Sequence, residues 1–215
     1  MLRRPFWRRT ILVDTGIGPE ANAALPGLMQ AMGIRPEEVA TVVFTHLHID
    51  HVGWNMAAEA GTPSPRFPNA RHLFPKADFD FFSRELEQFP YMKGLVFPLV
   101  DSGLVDFIES EIDITPELRI WSTPGHTPGH ISILINSAGE KGVILGDVAG
   151  TPAQAHETDW HLVFEVNQEQ ARATRHAVFD RLGQEGFTIA ACHFLSPGFG
   201  KLVRLQGRRV WQPLK

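Results

Sequence analysis

The run Val39 to Phe44 is the tightest constraint in this chain. It is near-continuously apolar and β-branched, and it stops abruptly at Thr45, His46, His48, Asp50 and His51. A strand that alternates has one wet face; a strand without alternation is covered on both faces, as in a parallel or mixed sheet flanked by other layers. The rest of the chain must therefore supply those layers. Thr10 to Asp14 reads as a second short strand, ended by a Gly/Pro turn. Residues 20–33 have helical apolar spacing, broken by Pro26-Gly27 and closed by Gly33, and residues 76–89 alternate phenylalanines and charges with a helical period. From Val105 the pattern changes to short strands at 105–110, 117–122, 130–136 and 141–147. A strong helix follows over 167–186. Asn167 is its N-cap with Gln170 three residues later, Ala171, Thr174, Val178 and Leu182 share a face, and Gly183 or Gly186 closes it. Residues 187–194 and 200–213 read as further strands. Interleaved strands and helices favour sheets with helices packed outside.

Length and composition narrow the setting. At 215 residues the chain suits one domain, 1–215, with a sizeable core. A net charge of -4 speaks against nucleic acid as a partner. One cysteine excludes an internal disulfide and any multi-cysteine zinc site, and a reducing cytoplasm fits. The basic start carries arginines at 3, 4, 8 and 9, but its longest apolar run, Ile11 to Val13, is far too short for an export signal, and no stretch is long enough for a membrane helix. The expectation is a cytoplasmic protein that acts on a small molecule, without membrane or nucleic acid.

Three histidines and an aspartate within six residues need an explanation beyond a polar loop. His46 and His48, two apart in extended backbone, project to the same side and can grip one ion, while Asp50 and His51 turn toward a second position. Imidazole and carboxylate suit a borderline divalent ion such as zinc. Further ligands lie where other strands give way to loops: His126 in the turn TPGHTPGH, Asp147 after VILG, and His193 after TIAAC. Singly, each is a plain turn residue or helix cap. Together they form two sites: His46, His48 and His126 in one, Asp50, His51 and His193 in the other, with Asp147 bridging.

These motifs, THLHIDH, TPGHTPGH, LGD and the late CHF, resemble the metallo-β-lactamase superfamily in order and spacing, from ILVDTG to HFLSPGFG. The resemblance implies an α/β fold, an αββα sandwich, with metals at one edge between the sheets and the ligand set just assembled. It also implies that Asp14 orients a ligand histidine. Members of the superfamily normally have strands before the VDTG segment; here about ten residues precede it, so the first hairpin reads as missing or shortened. An edge at Ile11 to Val13 is then expected to be covered by a homodimer contact through the first fifteen residues, Phe6 and Trp7 included.

Within the superfamily, Asp147 separates the chain from zinc β-lactamases, which lack it, and His48 from diiron flavoproteins, which carry glutamate there. No basic C-terminal patch supports a glyoxalase II-like thioesterase, and the full ligand set speaks against a one-iron persulfide dioxygenase. The stretches around Phe67 to Phe82, His126 to Leu134 and His193 to Gly200 look most like the branch of methyl parathion hydrolase-like and N-acyl-homoserine-lactonase-like enzymes. Such lactonases place a tyrosine soon after the bridging aspartate, whereas the chain's only tyrosine is Tyr91. The expected activity is a dinuclear metal-dependent hydrolase using a bridging hydroxide on a lactone, carboxyl ester or phosphotriester, with Asp50 and Asp147 in catalytic roles. Zinc is the first choice of ion, with manganese, cobalt or iron behind it. A β-lactamase or thioesterase is the alternative reaction, and a non-catalytic metal-binding interaction scaffold is the alternative class. Trp54, Trp160, Phe194 and Phe199 are candidates for an apolar pocket wall or for core. Cys192 reads as a small buried strand residue, and His130 as a turn group or a support for a ligand. His72, His156, His161 and His176 have no partner that the sequence identifies.

Overall fold

The structure, a computed structural model, describes residues 10–19, 24–57, 63–194 and 198–214. The chain divides into two compact units, one ending at Ile108 and the other starting at Glu109.

In chain order the first unit contains β1 (Thr10–Val13), α1 (Leu25–Ala31), β2 (Val39–Val43), α2 (Ile49–Val52), β3 (Met56–Ala57), β4 (Ser64–Pro65), β5 (Arg71–Pro75), α3 (Lys76–Phe82), α4 (Met92–Leu95), α5 (Phe97–Asp101) and β6 (Val105–Ile108). Its main sheet runs β1-β2-β5-β6 and is parallel throughout, with Leu12 beside Val42, Val42 beside His72 and His72 beside Val105. The apolar run at Val39 is thus an inner strand. Val42, Phe44 and Phe74 are fully buried in one core with Met92, Val96 and Leu99 from the α4–α5 region. β1 ends the sheet order among the described residues, where the sequence places an edge. The dimer contact expected of Phe6 and Trp7 lies outside the described residues.

Three sequence expectations shift here. Pro26 does not break α1: it occupies the first turn, where a missing N–H costs nothing. The helix expected over 76–89 stops at Phe82 and continues as turns, because Leu86 and Phe89 already reach the core from there. Val105–Ile108 does not open the series of antiparallel strands but closes the parallel sheet, returned beside β5 by the helical segment between them.

The second unit contains β7 (Leu118–Ser122), β8 (Ile131–Ser137), β9 (Glu140–Ile144), α6 (Gln168–Glu185), β10 (Thr188–Ala190), β11 (Phe199–Leu205) and β12 (Arg208–Pro213). Its sheet runs β12-β11-β10-β9-β8-β7. β7, β8 and β9 form an antiparallel meander, α6 lies in the crossover to β10, parallel to β9, and β11–β12 is a hairpin. The helix forms as its sequence dictates. The Asn167 side chain accepts from Gln170 N–H at 3.0 Å, and Gly186 ends it in left-handed backbone at φ 72°. Its inner face, Val178, Phe179 and Leu182, packs on Val143, Ile189 and Leu202 of the sheet. Each unit is therefore a sheet with its own helical cover and its own core. No helix among the described residues is long and apolar enough to cross a membrane.

Candidate metal centre

In the first unit the ligand loop begins one residue past β2. Phe44 is the last core residue of that run; the chain then leaves the strand, and His48 precedes α2 in extended backbone at φ -68°, ψ 157°. His46 is fully buried, and its Nε2 lies 3.0 Å from Nδ1 of His48. Two nitrogens each about 2.0–2.1 Å from one zinc ion are about this far apart. The i, i+2 geometry expected from the sequence is thus present. Asp50 and His51 lie in α2, with His51 Nε2 3.7 Å from Asp50 Oδ2.

Asp14 organises this half. It sits in left-handed backbone at φ 57°, uncommon for a residue with a side chain. Its Oδ1 accepts from Thr45 N–H at 2.7 Å, and its Oδ2 accepts from the Thr45 hydroxyl at 2.8 Å and from His51 Nδ1 at 2.9 Å. A carboxylate can only accept here, so His51 carries its proton on Nδ1. The Thr45 hydroxyl, having spent its proton on Asp14, accepts at 3.1 Å from His46 Nδ1. Both rings are thereby held as the tautomer that leaves Nε2 a lone-pair donor, the form a metal requires. Gly53 allows the VDTG turn to approach: a Cβ there would stand 2.2 Å from the Ile17 carbonyl carbon.

In the second unit His126 lies in the turn between β7 and β8, buried, with its carbonyl accepting from Val166 N–H at 2.9 Å. Gly125 before it takes φ 133°, and a Cβ would meet Ala171 N at 2.3 Å, so only glycine lets this turn rest on the first turn of α6. Asp147 follows β9 in a short 3-10 turn, Gly146–Val148. Its Oδ2 lies 3.3 Å from His126 Nε2 and 3.0 Å from His193 Nε2. His130 is no ligand: its Nδ1 donates to the Thr123 carbonyl at 3.0 Å, which leaves Nε2 to accept from Asp147 N–H at 2.8 Å. It supports the backbone of the carboxylate, as the sequence reading favoured.

The structure thus groups His46, His48, Asp50 and His51 in one unit, and His126, Asp147 and His193 in the other. Cys192 corrects its expectation. It is exposed, lies beyond β10 and not within it, and its thiol donates to Asp147 Oδ1 at 3.3 Å. Phe194 is core, buried against Trp211 with ring centroids 4.8 Å apart, whereas Trp160 and Phe199 are exposed. His161 and His176 lie beside Glu165 and Asp159, at 3.3 and 2.8 Å.

Two charged supports were not legible. Asp78 is fully buried and accepts from Leu47 N–H at 3.2 Å. Arg175, also fully buried, pairs with Glu165 at 2.7 Å and donates to the carbonyls of Val148, Thr158 and Trp160 at 2.8–3.0 Å. Helical spacing does contain the signal for Arg175, since 171, 175, 178 and 182 form one stripe, but its charge argues for the outer face.

A sequence profile described as the Metallo-beta-lactamase superfamily matches residues 8–193. An N-acyl homoserine lactonase of Bacillus sp. is 29% identical over 118 residues, which cover 55% of this chain and 41% of that protein. The chain therefore spans less than half the length of that relative. Among solved structures, the hydrolase AbOPH in the β-lactamase superfamily superposes with a TM-score of 0.86 at 25% identity, covering 98% of this chain and 77% of that one. AidC, a dizinc quorum-quenching lactonase, superposes with a TM-score of 0.84 at 21% identity, covering 96% and 76%, and so shares the fold.

Proposed function

Because the chain belongs to the metallo-β-lactamase superfamily, we propose that its two ligand sets form one dinuclear hydrolytic centre, with residues 1–215 working as a single domain. The substrate class is a small molecule with an ester-like bond: a lactone, a carboxyl ester or a phosphotriester. The donor set fits divalent ions. Nε2 of His46 and His51 is held as a lone-pair donor, and Asp147 Oδ2 lies between the Nε2 atoms of His126 and His193. His46, His48 and His126 would hold one ion, Asp50, His51 and His193 the other, and Asp147 both. Two zinc ions bound there supply a water acidic enough to ionise near neutral pH and a Lewis acid for the ester oxygen.

The chain's own groups do the rest. Asp14 and Thr45 keep the His51 and His46 rings oriented and in the competent tautomer. Asp50, with its side chain one-third exposed, can exchange protons with solvent and is the group that passes a proton to the departing oxygen. His130, by holding Asp147 N–H, keeps that carboxylate aimed while its charge is shared. No serine or cysteine nucleophile is required.

The observation that supports this reading is the convergence of two imidazoles on one oxygen of Asp147, a buried carboxylate. Elemental analysis of protein prepared without chelator should give about two divalent ions per chain, removed together with turnover on a panel of lactones, aryl esters and phosphotriesters. Full turnover with one ion per chain would remove the bridging role; bound metal without any turnover would leave the interaction-scaffold alternative.

A further inference from the structure

We infer that Asp78 and Tyr91 form a two-sided clamp on Leu47, which fixes the backbone between His46 and His48 and thereby aims both imidazoles at one cation. The inference rests on the metal-site reading above and names positioning residues for it. Leu47 has its side chain fully buried; its N–H donates to Asp78 Oδ2 at 3.2 Å, and its carbonyl accepts from the Tyr91 hydroxyl at 2.9 Å. The N–H belongs to the peptide plane shared with His46, and the carbonyl to the plane shared with His48. Both planes are therefore held, each by a side chain from a different place: α3 for Asp78, and the turn before α4 for Tyr91. Phe82, on the same helix as Asp78, adds an edge contact to the His48 ring with centroids 5.3 Å apart.

Energetics argue that this arrangement is more than loop packing. A carboxylate withdrawn from water costs several kcal/mol, and an apolar residue in the buried place of Asp78 would avoid that cost. The Tyr91 phenol is pushed well above its ordinary range by burial, and the carboxylates of Asp78 and Asp50 add to the shift. Its hydroxyl is a donor at neutral pH. A ligand constellation tolerates only about 0.5 Å and 10–20° of error, and His46 Nε2 and His48 Nδ1 stand 3.0 Å apart on either side of Leu47, the residue that both groups hold.

The test is metal affinity, read by competition with a chromophoric zinc chelator, together with the visible spectrum of the cobalt-loaded protein. Asp78→Ala should weaken zinc about 10–100-fold and alter the cobalt spectrum. Asp78→Asn keeps a carbonyl acceptor and should recover most of the affinity. Tyr91→Phe should cost several-fold, and the double variant should lose less than the product of the single losses, because both groups act through Leu47. A folded Asp78→Ala protein with wild-type affinity and spectrum, and only a lower melting temperature, would overturn the clamp. If that variant does not fold, Tyr91→Phe decides on the same two readouts, and unchanged values overturn it. A wild-type protein that binds no zinc or cobalt overturns the metal-site reading and the clamp together; wild-type binding with indifferent variants overturns the clamp alone.

Discussion

His72 in the first unit and Arg175 in the second are both completely buried polar side chains, and the two are accommodated in opposite ways. In the first unit His72 on β5 lies beside Phe44 and Phe74, and neither ring nitrogen has a partner in hydrogen-bond geometry among the described residues. Burial pushes it down to about 4 from its ordinary 6.5, opposed only in part by the nearby Leu104 and Ala70 carbonyls. It is tolerated because it is neutral. In the second unit Arg175 cannot become neutral, so its guanidinium is met by Glu165 and three carbonyls. The first solution stores a weakness to acid; the second stores a weakness to losing a partner. The difference follows from where each residue sits. His72 is in an inner strand whose neighbours spend their backbone groups on the ladder, whereas Arg175 faces the loop segment 148–165, whose carbonyls need donors.

The largest expected effect tests the second solution. Arg175→Ala should destabilise the protein by about 3–5 kcal/mol, because Glu165 is left buried and unpaired, and Glu165→Gln in the same chain should return part of that loss; denaturant unfolding measures both. An Arg175→Ala loss below about 1 kcal/mol would mean that the pair is not closed in solution.

His72 tests the first. Its folded value lies below its unfolded one, so below 6.5 the unfolded chain takes up a proton that the folded chain refuses. Stability is therefore lost as pH falls from 6.5 to about 4 and levels off below, by about 3 kcal/mol in all. His72→Phe, with a flat ring for the same slot, should remove most of that slope in urea unfolding curves taken between pH 7 and 4. An unchanged slope would assign the acid sensitivity to other groups.

At the proposed metal centre, Asp147→Asn should leave both solutions intact and lower kcat/KM on every ester-like substrate at least about a hundredfold, about 2.7 kcal/mol. Loss on one substrate with retention on others would make Asp147 a substrate contact instead. The smallest effect is expected at the helix that carries Arg175. Asn167→Ala removes the cap on Gln170 N–H and should cost about 1 kcal/mol, visible as a small shift in the thermal midpoint with metal content unchanged.

The candidate ligands and their order could be picked out from residues alone, because metal chemistry restricts candidates to a few side chains at short spacings: His46 and His48 are two apart, and the others lie at or near strand ends. The inner strand at Val39 and the capped helix at Asn167 could be read for the same kind of reason, since local periodicity and local hydrogen bonding determine both. Tertiary structure decided what local pattern cannot carry. That Asp78 and Tyr91 reach Leu47 from 31 and 44 residues away, that Arg175 is buried within a polar-looking helix, that His72 is neutral, and that Cys192 is exposed beside Asp147 are all consequences of which segments the fold brings together. A charged residue looks solvated in a sequence, and only its neighbours in space reveal that its charge has been satisfied inside.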